Sequence, residues 1–165
     1  MINDSLFKQI DFSLFQSVLD EAIAIMEKSS NKLILVLRDK LDMGFQKAVG
    51  AFVNSRHVGR INMGLDLSDA LQMRDIEDAG FLSKNKLMVS STTILDNCEI
   101  LFDSELKLKP FQLLKNAARH HVIVAVVDAR ISEGVFLYGN SASGDFCRYE
   151  QLTDTYILDL KGREE

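Results

Sequence analysis

Two aliphatic runs without alternation constrain the fold most: Leu33-Ile34-Leu35-Val36-Leu37 behind Lys32, and Val122-Ile123-Val124-Ala125-Val126-Val127 behind His121. A strand solvated on one face alternates apolar with polar residues. A strand buried on both faces of a helix-covered parallel sheet reads as a continuous apolar stretch. Both runs are strand-sized and far short of the ~18–20 residues needed to cross a bilayer. The first is expected to be the central strand of a parallel sheet.

The segments between these runs fit crossover units. From Asp11 to Ser29 the residues Phe12, Phe15, Val18, Leu19, Ala22, Ile23 and Met26 recur at three- and four-residue steps, the spacing of one helix face. This predicts a helix over 11–29, N-terminal to the sheet and capped by Asp11 or Ser13. After the polar loop Arg38–Gly44, Phe45, Ala48, Val49, Phe52 and Val53 repeat the helical spacing, so strand, loop and helix follow one another. Val58–Met63 reads as a strand, with a short helix capped by Asp66 or Ser68 after it and a surface helix and loop over 74–86. Pro110 suits the first position of a helix, where its missing N–H costs nothing, and the helix is expected to run to about Arg119. Gly134–Tyr138 and Thr155–Leu160 read as later strands, forming an antiparallel edge or hairpin. The alternation predicts an α/β fold, a three-layer domain with a mostly parallel central sheet.

Composition narrows the class of partners. At 165 residues, 47% hydrophobic and 26% charged, with nine Gly and one Pro, the chain suits one ordered domain over 1–165. A formal charge of −5 provides no basic field for autonomous nucleic-acid binding. Nucleic acid is expected only through partners, and no membrane contact is expected. Cys98 and Cys147 stand in dissimilar settings, and the N-terminus lacks the basic start and apolar core of a secretory signal. Free thiols in a cytoplasmic protein are the expectation.

The stretch Thr92 to Asp103, T-T-I-L-D-N-C-E-I-L-F-D, reads as a buried strand that delivers carboxylates at its carboxyl end. Ligands of open parallel sheets bind at that end. There Asp96 could contact Mg²⁺ and Glu99 could polarise a water. The plainer reading is that Asp96-Asn97 is turn chemistry after a strand.

A phosphate-binding loop after the first strand would read G-x-x-x-x-G-K-[ST]. The matching frame is Asp39-Lys40-Leu41-Asp42-Met43-Gly44-Phe45-Gln46. Only Gly44 survives: Phe45 stands where the lysine belongs, Gln46 replaces the hydroxyl residue, and Asp42 adds negative charge where phosphates would lie. Among weaker candidates, His120-His121 has no Cys/His ligand spacing around it, and no metal site is expected. His57 reads as a surface residue. Cys98, beside two acids, reads as a buried filler rather than a nucleophile. Ser141-Ala142-Ser143-Gly144 reads as a turn. Arg119 reads as a helix-end charge, with a phosphate sensor as the alternative.

The residues Ile94 to Arg119, I-L-D-N-C-E-I-L-F-D-S-E-L-K-L-K-P-F-Q-L-L-K-N-A-A-R, resemble the acidic-motif region of the small P-loop protein of type 3 BREX bacteriophage-exclusion systems, usually called BrxF. The resemblance extends to I-N-M-G-L-D-L-S-D-A-L, Ile61–Leu71, and to G-V-F-L-Y-G, Gly134–Gly139. It implies a P-loop NTPase fold and a place in an antiviral defence system. The family's Gly-Lys-Thr or Gly-Lys-Ser is Gly44-Phe45-Gln46 here.

The expectation is therefore a pseudo-ATPase: a non-catalytic or weakly nucleotide-binding subunit with Asp96 and Glu99 as relics, acting by protein–protein interaction with other subunits of the defence system or as a homo-oligomer. No cofactor is expected. The alternatives are an active ATP hydrolase using Mg²⁺, with Lys40 or Lys47 supplying the missing charge, and a DNA-contacting defence subunit.

Overall fold

The two aliphatic runs pair with each other. Leu33–Leu37 lies parallel to Val122–Val127 in the register Leu33↔Ile123 to Leu37↔Val127, and every residue of both is buried. The structure, a computed structural model, describes residues 2–38, 43–56, 58–63, 92–104, 107–139 and 144–160. The expected helices near Asp66 or Ser68 and over 74–86, together with Lys40, His57 and the Ser141–Ser143 turn, lie outside the described residues.

Nine strands are described: β1 Phe7–Gln9, β2 Leu33–Leu37, β3 Gly59–Asn62, β4 Thr92–Asp96, β5 Val122–Val127, β6 Arg130–Ser132, β7 Val135–Tyr138, β8 Cys147–Tyr149 and β9 Tyr156–Asp159. Six of them form a sheet in the order β1-β9-β2-β5-β4-β3, with every pairing parallel. The helices are α1 Phe15–Met26, α2 Met43–Arg56 and α3 Pro110–Ala117.

Because successive strand residues point to opposite faces, the sheet has two hydrophobic cores. On one face Ile34, Val36, Ile94, Val122, Val124, Val126, Tyr156 and Leu158 pack against Phe15, Leu19, Ala22 and Met26 of α1 and Phe45, Val49 and Phe52 of α2. On the other, Leu33, Leu35, Leu37, Leu95, Ile123, Ala125, Val127 and Ile157 pack against Phe111, Leu114 and Ala117 of α3 and against Leu101 and Phe102. Helices therefore cover both faces, giving the three-layer α/β arrangement expected, compatible with a P-loop-like domain.

Three expectations are corrected. The N-cap of α1 is Leu14, which makes no side-chain capping bond. Residues 12–14 form a 3-10 turn in which the Leu14 N–H reaches the Asp11 carbonyl, so neither Asp11 nor Ser13 fills the capping position. The helix ends at Met26, three residues early, in turns whose N–H groups bond back to Ile23, Ile25 and Met26. The last strands also part company. β9 enters the main sheet parallel, between β1 and β2, while β6, β7 and β8 form a separate antiparallel sheet. Its first hairpin turns at Glu133 and Gly134, both at positive φ (52° and 77°), the twist that suits a two-residue hairpin loop.

The small sheet is fastened to the main body by aromatic stacking. The ring of Tyr149 lies 3.8 Å from that of Phe111 with 2° between the planes, and Tyr138 lies 4.6 Å from Phe102. Phe136 fills the space between them, 4.9 Å from Phe111 and 5.6 Å from Phe102.

Candidate functional site at the carboxyl edge of the sheet

The parallel strands bring polar residues to one edge. Gln9, Asp159, Asp96 and Asn62 end β1, β9, β4 and β3, and Arg38 and Asp128 directly follow β2 and β5. This is the edge at which parallel α/β folds place ligands. Gln9 Nε2 donates to Asp159 Oδ2 at 3.4 Å, and the Arg38 N–H donates to the Val127 carbonyl at 3.2 Å.

Asp96 is the last residue of β4 and only 4% exposed. Its partner is Arg60, on the neighbouring edge strand β3, whose Nε donates to Asp96 Oδ2. The same guanidinium uses Nη2 to donate to Gln46 Oε1 at 2.7 Å. Arg60 thus joins the acid to the first turns of α2. The other oxygen, Asp96 Oδ1, is buried with no hydrogen-bond partner among the described residues, as is Glu99 Oε2.

Asn97 turns the chain out of the strand in the left-handed conformation, φ 56° and ψ 46°, which asparagine tolerates better than most residues. This turn starts the 3-10 helix Cys98–Phe102 and brings Glu99 back towards β5, where Glu99 Oε1 accepts the Asp128 N–H at 3.1 Å. Arg38, 3% exposed, donates through Nη2 to Asn97 Oδ1 at 3.4 Å and stands 3.9 Å from Glu99 Oε1. Its guanidinium carbon lies 5.4 Å from the centroid of the Phe45 ring, within the range of a cation–π contact. Both acids that a nucleotide site would use therefore have arginines beside them.

The phosphate-loop frame behaves differently from a nucleotide site. Phe45 is fully buried, its ring 5.5 Å from Phe15, so this side chain belongs to the core. Gly44 and Gln46 are exposed at the start of α2, and Asp39 to Asp42 lie outside the described residues. Mg²⁺-nucleotide does not fit what is present: no lysine points from position 45, no hydroxyl follows it, and Asp96 is engaged by Arg60. Burial pushes the phenol of Tyr138, on the small sheet, up, and the charges of Glu99, Asp145, Asp128 and Asp103 push it further.

The remaining candidates separate from this edge. Arg119 follows α3 and precedes β5, at the amino end of the strands, exposed; the sheet's length stands between it and Asp96. Cys98 is fully buried and donates to the Leu95 carbonyl at 3.2 Å. Burial first and the Glu99 charge second push its thiol far above the usual range, which makes it inert filler. Both Cys98 and Cys147 are free thiols. Among the described residues no cluster of three or more His, Cys, Asp or Glu side chains is arranged to hold a metal, and no helix is long and apolar enough to cross a membrane.

Sequence reasoning missed Arg38 and Arg60. The usable signal for Arg38 was a charge directly behind a strand buried on both faces, where it has little route to solvent. Arg60 carried none, because its partner is 36 residues away. No family model matches the chain, and no curated protein matches it.

Proposed function

We propose that this chain is a P-loop-like domain without effective nucleotide chemistry, serving as a structural or regulatory subunit of a bacterial antiphage defence complex through protein–protein contact. The observation that carries the loss of chemistry is Phe45: the position of the phosphate-binding lysine holds a core side chain packed on Phe15, in the cluster that also holds Phe52. The arginines beside Asp96 and Glu99 support the same reading, because each supplies internally the positive charge that Mg²⁺ would bring. The place in a defence system rests on the resemblance of residues 94–119 to the BrxF acidic-motif region.

Calorimetry with Mg²⁺-ATP on the purified chain tests the first part, with no saturable heat expected. Micromolar binding would favour a working NTPase with an unconventional loop. Phage-plating assays test the second. Asp96→Asn, which keeps the side-chain shape, should leave defence nearly unchanged, and loss of protection by a normally folded Asp96→Asn protein would overturn the reading.

A further inference from the structure

The geometry points to Arg60 as a built-in plug, a side chain that takes the position of a bound cation between α2 and Asp96 and keeps divalent metal from the buried acid. This inference rests on the reading of the chain as a non-catalytic P-loop-like domain and adds what holds its site closed. In the parallel sheet β3 borders β4, with Arg60 opposite Ile94 and Asn62 opposite Asp96. From that register the Arg60 side chain runs towards the carboxyl edge and presents two nitrogens in different directions. Nε takes Asp96 Oδ2, and Nη2 takes Gln46 Oε1. Gln46 occupies the frame position of the hydroxyl residue that would hold Mg²⁺. Arg60 therefore joins Asp96 to the frame position of that hydroxyl residue.

The burial of the partners is unequal. Asp96 is nearly inaccessible, while the Arg60 side chain is 29% exposed. Removing the arginine leaves a buried carboxylate whose second oxygen already lacks a partner among the described residues. A buried charge in that state is costly; it is relieved by a proton or by a small divalent cation, for which the Asp96 Oδ2 that Arg60 vacates is the acceptor. In the native protein Arg60 supplies the positive charge at Asp96 Oδ2 from within the sheet.

The test is thermal unfolding of native protein, Arg60→Ala and Arg60→Ala/Asp96→Asn, each with and without millimolar Mn²⁺. The native melting temperature should not respond to Mn²⁺. Arg60→Ala should melt lower and recover most of the loss with Mn²⁺, and the double variant should recover without Mn²⁺ and ignore it. Should Arg60→Ala fail to fold, Arg60→Gln, which retains a donor towards Gln46, takes its place. The plug is overturned by a native response to Mn²⁺ equal to that of the variant, by a variant indifferent to Mn²⁺, or by rescue that persists without Asp96. Saturable binding of Mg²⁺-ATP to the native chain is a separate outcome, which would overturn the non-catalytic reading itself.

Discussion

The rings of Phe15 and Phe45 meet 5.5 Å apart, centroid to centroid, at 58°, so α1 packs directly on the residue that replaces a phosphate-binding lysine. This relationship makes restoration of the motif a stability problem. Truncating a buried Phe costs about 3–5 kcal/mol, and an ammonium at the same place has no partner in the apolar cluster. Phe45→Lys/Gln46→Thr should therefore lose at least that much in urea unfolding and gain no ATP binding by calorimetry. Native-like stability with saturable nucleotide binding would show that the core can release position 45.

Arg38 and Glu99 couple the loop after β2 to the turn after β4. Arg38 is almost wholly buried, and removing one member of a buried ion pair costs more than removing both. Arg38→Met should cost about 3 kcal/mol by that reasoning, and Arg38→Met/Glu99→Gln should cost less than the sum of the single changes. A coupling energy of about 0.5–3 kcal/mol in a double-mutant cycle is the expected size for residues in contact. Strict additivity would mean that the 3.9 Å approach contributes nothing.

What was legible in the sequence follows from locality. Leu33–Leu37 and Val122–Val127 declared burial on both faces because continuous apolarity leaves no solvated side, and Pro110 declared a helix start because of its own covalent geometry. The apolar spacing of Phe45, Ala48, Val49 and Phe52 already put Phe45 on the core side of α2. Strand order was not legible. β9 lies parallel between β1 and β2, and nothing in Tyr156–Asp159 specifies its neighbours. The three-residue strand Phe7–Gln9 is too short to carry a period. At the site, Asp96 and Glu99 could be named from the chain. Their pairing with Arg60 and Arg38 could not, because an ion pair between residues 36 or 61 positions apart is a product of the assembled sheet.

The two thiols offer a readout of local opening. Cys98 is fully buried and its thiol is held protonated by burial and the Glu99 charge, whereas Cys147 is half-buried with a thiol raised by burial alone. At mildly alkaline pH a maleimide should modify Cys147 slowly and leave Cys98 untouched until the sheet opens. Mass spectrometry of peptides after timed labelling distinguishes the sites. Equal rates at both would mean that the 98–102 turn opens as readily as the small sheet.

Asp145 gives the fold a pH dependence whose sign can be worked out. Its carboxyl accepts the Ser104 N–H through Oδ1 at 2.9 Å, and that backbone bond, followed by the Ser104 hydroxyl, holds the group below the usual Asp range. The bond ties the segment before β8 to the chain leaving the 98–102 turn. Because the folded value is the lower one, the unfolded chain binds more protons between the two values, and stability rises with pH there. The contribution is complete above the ordinary Asp value of ~3.9 and disappears as pH falls through the depressed folded value. Asp145→Asn should therefore be less stable than native at neutral pH, and the two should converge in acid. Urea midpoints measured from neutral to strongly acidic pH check this, and a difference that persists unchanged in acid would assign the effect of Asp145 to something other than its charge.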